Sequence, residues 1–111
     1  MKELHTAIQR VIADVEQVLT VVDATDAPLR ANHRQTFEMQ LRSLRLVDGE
    51  LHERVVTRRV WSLGTATVPV LRSMLNAAGK PRMGLPDGLV EGAQQSLVSL
   101  RTELTRFAEG R

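Results

Sequence analysis

Apolar side chains recur at helical intervals along almost the whole chain. Over residues 2–23, Leu4, Ile8, Val11, Val15, Val18 and Val22 step by 4, 3, 4, 3, 4, which puts all six on one stripe of an α-helix. Residues 88–109 repeat the pattern with Val90, Ala93, Leu97, Leu100, Leu104 and Phe107. Both stripes advance by about 3.5 residues per step, the spacing of bundle and coiled-coil packing.

Between these segments lie two more. After Asp-Ala-Thr-Asp-Ala-Pro, in which Thr25 or Asp26 can cap and Pro28 suits a first turn, Phe37, Leu41, Leu44, Leu51 and Val55 continue in helical phase. Asp48-Gly49 looks like a stop, yet the steps 37, 41, 44, 48, 51, 55 keep one phase across it. The pattern therefore predicts a single long helix over 28–63, with Gly49 as the place for a bend. Gly64 suits its end, Thr65 or Thr67 a new cap and Pro69 an early turn. A shorter helix follows over 67–78, carrying Val68, Leu71, Met74, Leu75 and Ala78. Residues 79–88 are rich in Gly and Pro and read as a loop, with Asp87 placed to cap the final helix.

These elements predict an all-α, four-helix bundle forming one domain over 1–111, with helices at about 2–23, 28–63, 67–78 and 88–109. The second helix would run to roughly 50 Å, against about 33 Å for the first and last. Part of its apolar face would then overhang, and a second copy of the chain is the expected cover.

Composition narrows the chemistry. Aromatic residues make up 3% of the chain and tyrosine is absent, so base stacking has few side chains to use. There is no cysteine, which excludes disulfides, thiolate metal sites and cysteine nucleophiles. The N-terminus lacks the apolar core of a signal peptide, and no apolar run approaches the ~20 residues of a membrane span. A cytoplasmic protein is the expectation. The net charge of +2 is uneven: −3 over residues 1–27, +6 over 28–82 and −1 over 83–111. Such asymmetry fits a nucleic-acid or acidic-protein partner, or acidic and basic helices neutralising each other within one bundle.

Candidate catalytic chemistry is sparse. A di-iron bundle needs Glu three residues before His, but Lys2, Arg30 and Gly49 precede His5, His33 and His52 at that spacing. No Gly-x-Ser-x-Gly elbow or strand-linked phosphate loop occurs. Glu50 and Glu53 lie on one helix face beside His52 and Arg54, where a solvated role fits better than acid–base work. No cofactor, metal or enzymatic activity is expected.

Glu50-Leu-His-Glu-Arg-Val55 resembles the phosphoacceptor box of sensor histidine kinases. The resemblance implies a phosphotransfer bundle with His52 as acceptor and Glu53 as its acidic neighbour. Val56 departs from that family's pattern, which has an amide or threonine in the next turn. Trp61-Ser-Leu-Gly64 is similar to the Trp-x-Gly turn of small secreted helical-hairpin proteins, but longer by one residue and without the tyrosine motif of that family.

The remaining candidates are basic. Arg42, Arg45, Arg54 and Arg58 fall on the polar side of the long helix, and Arg30, Arg34, Arg59 and the loop pair Lys80 and Arg82 could extend them into a stripe. Together with Trp61, an expected packing or interface anchor, they are the candidate partner-binding residues. As a stripe they could neutralise phosphates. A short, helical, basic chain also resembles in general appearance the small subunits of CRISPR effector complexes, which would make it a nucleic-acid-binding accessory subunit. The reading preferred here is a non-enzymatic bundle working by protein–protein association or as a homo-oligomer, with nucleic-acid binding second and phosphotransfer third.

Overall fold

The computed structural model describes residues 2–24, 31–52, 60, 62–80 and 84–109, without the side chains of 31–32, 51–52 and 108–109. It is an all-α helical bundle, and no strand occurs among the described residues. Helix α1 spans Lys2–Ala24, α2 Ala31–His52, α3 Val68–Ala78 and α4 Leu89–Glu109. Each packs on two neighbours, α1 on α2 and α4, and α3 on α2 and α4, so the four close a ring around one core.

The side-chain links between neighbours fix the directions. His5 meets Asp48 while Asp23 meets Arg34, so α1 and α2 run antiparallel. Asp14 meets Ser96 while Lys2, Thr6 and Arg10 share a surface depression with Ser99 and Glu103, and Asn76 meets Gln94 while Gly64 lies near Leu104, so α1 and α3 both run antiparallel to α4. The chain goes up and down the bundle in sequence order.

Helix α1 buries more than its predicted stripe. Ala7, Ile12 and Leu19 join Leu4, Ile8, Val11, Val15, Val18 and Val22. The wider apolar face follows from its place between two partners, since one stripe serves a single neighbour. On α2, Phe37, Leu41, Leu44 and Val47 point inward and are almost fully enclosed.

Helix α2 continues through Asp48-Gly49, as the unbroken phase predicted. Gly49 lies on the outside, where a side chain would meet nothing. The continuation over 53–59 falls outside the described residues. Among the described residues the length mismatch does not arise: α1, α2 and α4 have 23, 22 and 21 residues.

The helix end predicted at Gly64 is not there. Ser62 is helical, and Leu63–Thr67 form a π-helical turn that flows into α3. Gly64 is not in the left-handed conformation of a helix-ending glycine, and neither Ser62 nor Thr67 makes a side-chain cap bond. Pro69 accounts for this. It has no N–H for the carbonyl four residues back, and its ring crowds that carbonyl. The wider π turn, closed by the Val68 N–H on the Leu63 carbonyl, relieves the crowding without ending the helix.

The start of α4 also differs from expectation. The Gly88 carbonyl accepts the Gly92 N–H at 2.9 Å, so Gly88 takes the capping position predicted for Asp87. Gly88 has φ +82°, which a side chain would strain.

Candidate functional site

Two surfaces bring arginines to the junction of neighbouring helices, and the bundle treats them differently. On the α1–α2 side, Arg45 donates from Nη2 to Glu16 Oε1 at 2.6 Å. Arg34 grips Asp23 with both terminal nitrogens, one contact measuring 2.9 Å, and reaches Glu38 through Nε at 3.3 Å. The hydrogen bond to Asp23 is the main cause that raises the Arg34 guanidinium above its ordinary pKa, with help from the charges of Asp23 and Glu38. The acidic first helix and the basic second helix thus neutralise each other across their seam. Arg42, a predicted binding residue, stays exposed and has no ion pair among the described residues.

Lys80 is exposed just after α3. The other predicted positions, Arg54, Arg58, Arg59, Trp61 and Arg82, lie outside the described residues. His52 is the last residue of α2, and its side chain also lies outside them.

The polar residue inside the α2 stripe is accounted for. Asp48, 6% exposed, pairs through Oδ1 with His5 Nδ1 at 2.5 Å, and its Oδ2 accepts from Gln9 Nε2 at 2.6 Å. Those partners, one turn apart on α1, are what allow a carboxylate in a core position. Across the bundle, buried Ser96 meets the Asp14 carboxylate and joins α4 to α1 in the same way. No group of three or more His, Asp or Glu side chains suited to a metal occurs among the described residues. No helix among them is long and apolar enough to cross a membrane.

The second arginine surface is a groove of about 840 Å³ between α3 and α4. The π turn and α3 contribute Gly64, Val68, Pro69, Arg72, Ser73 and Asn76; α4 contributes Gln94, Leu97, Val98 and Arg101. Leu97 and Val68 are buried and form the floor, while Val98 at 60% is the most exposed large apolar side chain described. Gln94 Nε2 donates to Asn76 Oδ1 at 2.7 Å, tying the two walls together. Arg72 and Arg101 stand on opposite walls, both exposed, and neither carries an ion pair among the described residues. No carboxylate among the described residues lines the groove.

Sequence reasoning passed over this groove because its residues come from two segments joined only by the antiparallel register. A signal was present: Val98 is apolar but lies off the stripe that runs through Leu97 and Leu100. Met39 and Leu46, 56% and 52% exposed, depart from the α2 stripe in the same way.

Comparison with protein-family models, curated proteins and solved structures finds no match for this chain. The class its own geometry defines is an all-α helical bundle with a polar seam on one side and an arginine-walled groove on the other.

Proposed function

We propose that this is a non-enzymatic cytoplasmic protein that works by protein–protein association, with a second copy of the chain as the partner on the outer face of α2. The observation that carries this is the placement of Met39 and Leu46. At 100° per residue they share one line along α2, opposite the buried line through Phe37, Leu41 and Leu44. The helix therefore has an inner apolar face and a narrow outer one. Two such helices meeting antiparallel about a two-fold axis would set Met39 against Leu46 of the partner subunit, twice over.

Arg42 falls close to that axis, beside the stripe. The two copies of its charge would then approach each other, and salt would strengthen the association by screening them. Light scattering over a concentration and salt series tests the reading. The mass should exceed 12.4 kDa and rise with salt, and Met39→Glu with Leu46→Glu should return it to 12.4 kDa. A wild-type mass of 12.4 kDa throughout rejects it.

Exposed Arg42 and Lys80 favour a second reading, nucleic-acid binding by the basic middle of the chain. Arg34 and Arg45 count against it, since their charge is spent on α1. A gel shift that weakens steeply with salt would support this second reading; no shift at low salt would end it.

A further inference from the structure

We infer that the groove between α3 and α4 is a docking site for an acidic, amphipathic peptide segment of a partner protein. The inference does not depend on self-association through α2. It starts from how the two helices share their surfaces. Val68, Pro69, Arg72, Ser73 and Asn76 fall on one face of α3 and its preceding turn, and Gln94, Leu97, Val98 and Arg101 on one face of α4. Because the helices run antiparallel, Arg101 stands level with Val68, and Arg72 stands level with Leu97 and Val98. Each arginine thus faces apolar side chains on the opposite wall.

The result is a groove about three turns long, apolar at Val68, Leu97 and Val98 and polar at one end, with a guanidinium on each bank offset by about one turn. The charge is what selects the occupant. Elsewhere on the bundle, Arg34, Arg45 and Arg106 each hold a carboxylate of their own chain, while exposed Arg10 and Arg42 hold none among the described residues and line no groove with an apolar floor and a second guanidinium. Arg72 and Arg101 hold none among the described residues, and no described residue of the groove supplies one. A segment that sets apolar side chains on Val68, Leu97 and Val98 and carries a carboxylate on each flank would complete both arginines. An amphipathic helix lying in a helix–helix groove does this with residues at i, i+3, i+4 and i+7. Guanidinium forks suit planar carboxylates in two-pronged contacts. The groove also provides polar groups at one end, Ser73 and the Asn76–Gln94 pair, that can meet peptide carbonyls or amides.

Fluorescence anisotropy with a labelled designed peptide of about four helical turns tests this. The peptide carries leucines along one face and glutamates on both flanks; a second version has lysines for the glutamates, and a single-stranded oligonucleotide is the third probe. The acidic peptide should bind, weaken as salt rises, and lose about tenfold or more in affinity with Arg72→Gln and Arg101→Gln together. Val98→Glu should abolish binding, and the lysine version should not bind. Arg42→Gln should leave the affinity unchanged. All these substitutions are at exposed helical positions, and circular dichroism checks that each variant is folded. Three results overturn the inference: no binding of the acidic peptide at low salt, equal binding of the lysine version, or full affinity in the double arginine variant. Oligonucleotide binding that needs both arginines, without binding of the acidic peptide, would reassign the groove to nucleic acid. A concentration-dependent rise in mass that Val98→Glu abolishes would assign it instead to a second copy of the chain.

Discussion

The α1–α2 seam and the α3–α4 groove are both places where two antiparallel helices bring arginines to the surface. At the seam, every described arginine that reaches α1 meets an acid there: Arg34 has Asp23, and Arg45 has Glu16. At the groove, Arg72 and Arg101 rise beside Val68, Leu97 and Val98 with no acid between them among the described residues. Net charge along the chain does not separate these regions, because the basic 28–82 segment supplies Arg34 and Arg45 to the seam and Arg72 to the groove. Arg34 and Arg45 are answered by acids of the fold, whereas Arg72 from the same basic segment and Arg101 from the nearly neutral C-terminal part have no ion pair among the described residues. A charge acts on a partner only to the extent that the fold has left it unanswered.

The seam should break most readily at Asp48. Asp48→Ala leaves His5 and Gln9 without the carboxylate that both of them meet, and should cost about 2–3 kcal/mol in urea unfolding. A loss under about 0.5 kcal/mol would mean that the buried contact does not hold the helices together. A smaller change of opposite sign is expected one residue on. Gly49 is helical and outward, with open space where a Cβ would sit, so Gly49→Ala should stabilise by up to about 1 kcal/mol. Destabilisation there would contradict an unbroken, exposed helix at Gly49.

The smallest effects bear most directly on the contrast between the two surfaces. Arg45→Gln should lower stability by no more than about 0.5 kcal/mol, because both members of its ion pair are half exposed, and high salt should shrink even that. Arg72→Gln should change stability by less still, in either direction. The sharper outcome is the pairing of readouts: Arg45 affects folding and not peptide binding, and Arg72 the reverse.

Much of the bundle can be read from the chain because helices advertise themselves through periodicity. The stripes of α1 and α4 predict their elements to within a residue or two, and unbroken phase across Asp48-Gly49 predicts that α2 continues there. The break expected at Gly64 failed because Gly-Thr-Ala-Thr-Val-Pro contains every local sign of a helix end and a restart. Local signs do not show that a π turn can absorb a proline while the helix goes on. The groove was less legible still. Arg72 and Arg101 are far apart in sequence, and only the antiparallel register makes them neighbours. The apolar residues out of phase with their own stripes, Met39, Leu46 and Val98, were the visible clue that some surfaces face something other than the core.

The central claim, that the chain works by association, is tested most directly by its unfolding midpoint as a function of its own concentration. Folding linked to self-association gains stability by mass action. Raising the chain from about 1 µM to about 100 µM should therefore move the urea midpoint upward by roughly 1 M, whereas the Met39→Glu, Leu46→Glu variant should show one midpoint at both concentrations. A wild-type midpoint that does not move would contradict the claim that α2 meets a second copy of the chain.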